Sequence, residues 1–293
     1  MPRTIDEGFR DFLPRLTPTP GESDAAMNHR ASIEACLKAN FGLIRFFRTG
    51  SFGNGTSISG YSDVDYFASL PHGKLKQNSG VVLTQVRHAL YTRFPSTGVR
   101  VDCPAVKVPF GILAKESTEV VPAKYIEETA EGYKTYTIPD CSGSGGWMRS
   151  SPDAHNAYVQ SIDKNLDGKV KPLIRFIKAW KCYHQVPISS FYLELRVAKY
   201  AEAESVIVYD MDVRQIFSRL HNIGLASLQD PMGISGYISA SSTQVKLDEA
   251  KSKILTAFVR AEKALEAKSK DNIKEAFYWW NLIYDGNFPS YYR

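Results

Sequence analysis

The spacing of apolar residues changes character halfway along the chain. Between Asp24 and Asn40, Ala, Ile and Leu recur at helical spacing, and Phe41 to Phe47 alternates like a strand, so a helix feeds a first strand. The polar, Gly-rich loop SFGNGTSISGYS separates that strand from DVDYFASL, again of strand character. Val81 to Phe94 predicts a helix, and Pro104 to Phe110 and Thr118 to Val121 predict two further β segments. From about Ser151 the texture turns helical: KVKPLIRFIKAWKCYHQ, SSFYLELRVAKYAEAE, MDVRQIFSRLHNIG and Ser242 to Lys270 all carry the period of a helix. Loop-like bridges fall at Asp140 to Ser151 and Ser227 to Ser242, and the chain has no internal repeat. The pattern predicts an α+β protein with a mixed sheet, flanking helices and a long N-terminal helix spanning both halves over residues 1–150, and a helical lobe over residues 151–293.

Composition narrows this picture only slightly. With 43% apolar residues in 293, the chain can bury a core without covalent staples. Cys36, Cys103, Cys141 and Cys182 form no CxxC pair and have no His at zinc spacing, which gives neither a disulfide framework nor a zinc site any support. The start, MPRTIDEGFRDFLPRL, mixes acids with bases, and no later run is apolar enough to span a bilayer. The reading is a cytoplasmic protein, not bound to a membrane. The formal charge of +5, from 36 basic and 31 acidic residues, suits phosphate-bearing partners. No long basic stripe interleaved with aromatics points to extended nucleic-acid binding.

The chemistry concentrates in TGSFGNGTSISGYSDVDYFASL. Strand side chains repeat every second residue, so Asp63 and Asp65 face one way. Two like charges so close favour a cation, and carboxylate oxygens suit Mg²⁺ shared with substrate phosphates. A lone Asp-x-Asp is more often a strand end or a turn. Upstream, Gly50 and Ser51 follow the first strand and can open a short helix against a phosphate, although Gly-Ser alone is a common turn. Strand, Gly-Ser, the 11 residues 52–62 and Asp-Val-Asp together form a far more specific arrangement.

In this arrangement the chain resembles the polymerase-β-like nucleotidyltransferases. PAVKVPFG, STEVVPAKY, KPLIRFIKAWK, SSFYLELRVA, LQDPMG and YWWNLIYDGNFPSYY extend the resemblance to the cGAS/DncV-like branch, relatives of oligoadenylate synthase, from about residue 28 to the C-terminus. The resemblance implies a two-Mg²⁺ site, with Mn²⁺ able to substitute, held by Asp63, Asp65 and a third acid. That acid is Glu119, before Val-Val-Pro-Ala, with Asp102 in VRVDCPAV as its competitor. It also implies that Gly50, Ser51, Lys178 and Ser190 contact the donor triphosphate. On the helix of KPLIRFIKAWK, Lys171, Arg175 and Lys178 share a face opposite Leu173, Ile177 and Trp180, so that one face packs and the other can meet phosphates. The resemblance places His155 and Asn156 of SPDAHNAYV near the nucleotides, with a helix-capping or surface role as the alternative, while Tyr192 reads as core and Trp279 and Trp280 as packing residues.

The implied activity is the joining of nucleoside triphosphates into cyclic di- or trinucleotide messengers that act on a separate effector in bacterial antiphage defence, performed by a monomer. Two rivals share parts of this reading. One is a transferase that nucleotidylates RNA, a protein or a small molecule. The other is an inactive nucleotide or RNA sensor, against which the intact Asp-Val-Asp argues.

Overall fold

The computed structural model describes residues 2–61, 63–111, 116–141 and 145–292, with the side chains of 20 and 22–28 left aside. In chain order the elements are α1 (Ile5–Leu16), α2 (Pro20–Phe41), β1 (Arg45–Arg48), α3 (Gly50–Asn54), β2 (Val64–Ser69), α4 (Ser79–Arg93), β3 (Arg100–Asp102), β4 (Ala105–Val108), β5 (Thr118–Glu128), β6 (Lys134–Pro139) and β7 (Trp147–Ser150). The second half adds α5 (Pro152–Asn165), α6 (Val170–Tyr183), α7 (Ser190–Ala201), α8 (Tyr209–Asn222), the short pair β8 (Leu228–Gln229) and β9 (Tyr237–Ile238), α9 (Gln244–Ser269) and α10 (Ile273–Ile283).

These elements group into two compact units. One comprises Pro18–Ala157 with Met232–Gly236; the other comprises Met1–Thr17, Tyr158–Pro231 and Tyr237–Arg293. The first 17 residues therefore group with the helices of the second half. Their helix α1 opens with a capping box, Thr4 and Glu7 each accepting from the other's backbone end, a signal the sequence reading passed over. Phe9 and Phe12 of α1 then pack on Phe176 of α6 and on Tyr284 and Phe288, with rings 4.6–6.3 Å apart.

The sheet unit is built on the strand order β1-β2-β5-β4-β3, with β6 paired to β5 and β7 to β6. Strands β2 and β5 run parallel and the other neighbours antiparallel. Ile33, Cys36, Leu37 and Phe41 line one side of α2, and Val82, Leu83, Val86 and Leu90 one side of α4. Both stripes cover the sheet face made by Phe46, Val64, Tyr66, Ala68, Val106, Val108 and Val120. The opposite face carries a smaller cluster of Phe67, Ala105, Val121, Ala123, Tyr136 and Ile138.

Two boundaries moved for local reasons. Strand β1 begins at Arg45 because Gly42, at φ +69°, caps α2 by donating its N–H to the Lys38 carbonyl at 3.0 Å. Strand β5 continues well past Val121, its Pro122 falling between the stretch paired to β4 and the stretch paired to β6, where no bond to either is lost. Of the expected bridge at Asp140 to Ser151, residues 147–150 form β7, while 142–144 lie outside the described residues.

The cysteines depart from the sequence reading. Cys103, in the β3–β4 turn, is disulfide-bonded to Cys141, at the end of β6, across 38 residues and 5.7 Å between Cα atoms. No motif spacing announces this pair because sheet pairing, and not proximity in sequence, brings it together. Among the described residues no helix is long and apolar enough to cross a membrane.

Candidate active site

Sheet register assembles the candidate carboxylates. Asp65 lies level with Glu119 on the parallel neighbour β5, and Glu119 lies level with Lys107 on the antiparallel neighbour β4. Level residues on adjacent strands project to the same face, so these three form one row across the sheet. Asp63, two residues before Asp65, shares that face. The apolar residues between them, Val64, Tyr66, Val106 and Val120, turn to the other face and are buried under α2 and α4. The alternation of apolar and charged residues in these strands thus builds core and acidic row at once.

The chain returns over this row through Gly50. Its φ is +56°, and a Cβ built on it would stand 1.9 Å from the Asp65 Oδ2. Only glycine lets the backbone pass there. Thr49, the residue before, donates its N–H to the Asp65 carbonyl at 2.8 Å, which fixes the first turn of α3 beside the acids. Ser51 is half-buried in that same turn.

A cation already sits on the row. The Lys107 ammonium forms short ion pairs with the Asp63 Oδ2 and, at 3.3 Å, with the Glu119 Oε1. Burial, then the charge of Asp63, push the Glu119 carboxyl up to about 7, with Lys107 pulling against them. Desolvation works against the charged form of Lys107, but hydrogen bonding and charge from Asp63, then Glu119, lift it above the usual lysine range. Among the described residues no three acidic, His or Cys side chains converge closely enough to hold an ion in this conformation. The donor set nonetheless fits a hard divalent cation: carboxylates on one sheet face, beneath a backbone that has made room for one of them.

The other sequence candidates fall elsewhere. Asp102 is exposed at the end of β3, level with Ala105, two positions along β4 from Lys107 and one strand further from Glu119. Lys178 of α6 does not line a solvent face: it is 2% exposed, and its Nζ donates to the Glu194 Oε1 of α7 at 2.6 Å. The neighbouring Lys181 donates to the Ser190 Oγ at 2.7 Å. A helical-wheel reading misses this because α7 packs on the side of α6 that carries Lys178. His155 is buried inside α5, and the cap it was read as supplying comes from Ser151, whose Oγ accepts from the Ala154 N–H at 3.3 Å. Tyr192 and Trp280 are core residues, as read, whereas Trp279 is half-buried with the Lys263 Nζ 4.5 Å from its ring centroid. Sequence reasoning did not single out Lys107 or Glu194; for Lys107 the signal was present, as the lone charge in an apolar strand, AVKV, next to the acidic one.

A mixed sheet with acids at the start of its second strand, beneath a Gly-Ser turn, defines a nucleotidyltransferase of the polymerase-β-like class. Residues 3–165 match the family described as "Second Messenger Oligonucleotide or Dinucleotide Synthetase domain", and the chain belongs to that family. It is 26% identical over 308 aligned positions, 98% of this chain and 86% of the other, to the "Cyclic AMP-AMP-AMP synthase" of Acinetobacter sp.. A "Probable cyclic nucleotide synthase" of Bacillus cereus is 30% identical over 174 residues, 59% of this chain, and the match spans about half (52%) of that relative's length. The fold is shared with CdnC of E. coli MS115-1, solved with ATP, at a TM-score of 0.71 and 17% identity over 97% of this chain and 98% of that one.

Proposed function

We propose that the chain condenses ribonucleoside triphosphates, ATP among them, into a cyclic di- or trinucleotide with release of pyrophosphate. The observation that carries this is the row Asp65, Glu119 and Lys107 beside Asp63, covered by Gly50, whose missing Cβ makes room for the Asp65 carboxylate. Asp63, Asp65 and Glu119 would hold two Mg²⁺ ions, with Mn²⁺ as a substitute. Bound there, the ions would supply charge neutralisation for the ribose hydroxyl's attack and for the leaving pyrophosphate.

The chain's own residues position the reactants. Gly50 and Ser51 bring backbone N–H groups and a hydroxyl to the triphosphate. Lys178 is paired with Glu194 in this conformation. The name of the Acinetobacter relative favours adenine as one base used. We place the protein in the cytoplasm as a monomer, its product a messenger to a separate effector protein in antiphage defence.

The test is incubation of the purified protein with all four ribonucleoside triphosphates and Mg²⁺ or Mn²⁺, phosphatase treatment, and mass spectrometry of the resistant products. Cyclic oligonucleotides made by the native chain and not by an Asp63→Asn/Asp65→Asn variant are the expected result. Transfer of a nucleotide to RNA or protein instead would replace this reading.

A further inference from the structure

Lys107 pairs with two acids of the row, Asp63 and Glu119, and its setting is unusual for a structural ion pair. It occupies the outward position of AVKV, flanked by Val106 and Val108, both fully buried on the other face. Its level partner on β5 is Glu119, and its side chain, 15% exposed, reaches past Glu119 to Asp63. It thus places one positive charge between two of the three carboxylates that the proposed function assigns to the metal. A hard cation and an ammonium seek the same oxygen atoms, and both cannot hold them at contact distance. Lysine suits a part that must let go, being a compact point charge on a flexible four-carbon stem that can withdraw without disturbing the strand.

We infer that Lys107 is a resident counter-ion of the carboxylate site: it holds Asp63 and Glu119 in the metal-free chain and is displaced when a divalent cation binds, so that it sets the affinity for that cation. Lys107 is in this sense a positioning residue of the site. The inference rests on the metal reading of the proposed function. It makes the metal-free protein stable at the expense of metal affinity, because without the ammonium two adjacent carboxylates repel each other until a cation arrives.

The experiment measures Mn²⁺ binding to the full chain without nucleotide, by electron paramagnetic resonance, and thermal melting with and without Mn²⁺. The proteins are the native chain, Lys107→Met, Lys107→Arg and Asp63→Asn/Asp65→Asn. Lys107→Met keeps the stem and removes the charge; it is expected to bind Mn²⁺ roughly tenfold more tightly, to melt lower than the native chain without metal, and to gain more from Mn²⁺. Lys107→Arg keeps the charge and is expected to bind no more tightly than the native chain. Should Lys107→Met melt too low to handle, Lys107→Gln takes the same measurement. Equal or weaker Mn²⁺ binding by the neutral variants, with binding by the native chain abolished in Asp63→Asn/Asp65→Asn, overturns the inference and leaves the metal reading standing. No Mn²⁺ binding by either the native or the neutral variants overturns the metal reading and the inference with it.

Discussion

Gly50 and Asp65 approach so closely that a Cβ on the glycine would stand 1.9 Å from the carboxylate Oδ2 and 2.6 Å from its Cγ. The contact makes the Gly-Ser turn and the Asp-Val-Asp strand one unit, although the 14 residues 51–64 separate them in sequence. Gly50→Ala must therefore move either the turn or the carboxylate, and at φ +56° it also adds backbone strain. Displacement of a reacting group by about 1 Å can cost on the order of 100-fold in turnover. We expect at least that loss in cyclic-product formation from a protein that remains folded by circular dichroism; an alanine variant at native turnover would mean that Asp65 does not act where it stands.

Replacing Asp63 and Asp65 with asparagine keeps their shape and removes two negative charges from the row. With the metal ligands gone, synthesis should fall below detection while the fold survives, since both side chains are only half-buried. Retained synthesis with a native melting profile would remove both residues from the chemistry.

Glu119 and Asp102 divide cleanly on geometry. Glu119 is level with Asp65 and paired with Lys107, whereas Asp102 is exposed one strand further away. Glu119→Gln is expected to reduce synthesis by two orders of magnitude or more, on the order of a lost transition-state contact, and Asp102→Asn to leave it within about twofold, as for surface substitutions generally. Steady-state rates on both variants decide this, and the reverse ranking would hand the third carboxylate to Asp102.

Much of this could be read before any coordinates. The period-2 strands and the Asp-Val-Asp spacing set the core face and the acid face, because alternation in a strand translates directly into sidedness. The helical half was legible for the same reason, from Val170 through Ser269. What sequence could not supply was pairing across distance. Lys107 gains its meaning only from the register that sets it beside Glu119, and Cys103 meets Cys141 only because the sheet folds back. In helix α1 the charged residues interleave with Ile5, Phe9, Phe12 and Leu16, all buried at helical spacing, which masks the apolar period.

The burial of Lys178 changes the experiment worth doing on it. Its Nζ is 2.6 Å from the Glu194 Oε1, with side chains 2% and 7% exposed, so removing one partner strands a charge in the helical core. Lys178→Met should cost about 3–5 kcal/mol of stability, as broken buried pairs do, whereas Lys178→Met with Glu194→Leu should recover most of it. Denaturant melts separate the three proteins. If the double variant is stable and its KM for ATP is native, Lys178 is a packing residue; a raised KM in that stable background would show that it touches the nucleotide.

The disulfide offers the sharpest physical check on the sheet unit. Cys103 and Cys141 close a loop of 38 residues, and a cross-link of that span restricts the unfolded chain enough to contribute about 4 kcal/mol in the chain-entropy account. Both cysteines are exposed at the surface, so a small reductant can reach the bond without unfolding the protein. Cys36 is buried and Cys182 half-buried, and burial pushes both of those thiols above their ordinary value, so neither competes as a thiolate for exchange. Dithiothreitol should therefore lower the melting temperature of the native chain by roughly 10 °C, given the usual slope for a unit of this size. Cys103→Ser/Cys141→Ser should melt at that lower temperature whether or not reductant is present, and thiol labelling should count two free thiols in the oxidised chain and four in the reduced one. A native chain that labels at four thiols before any reduction, and melts alike with and without dithiothreitol, would show that the bond is not formed in solution.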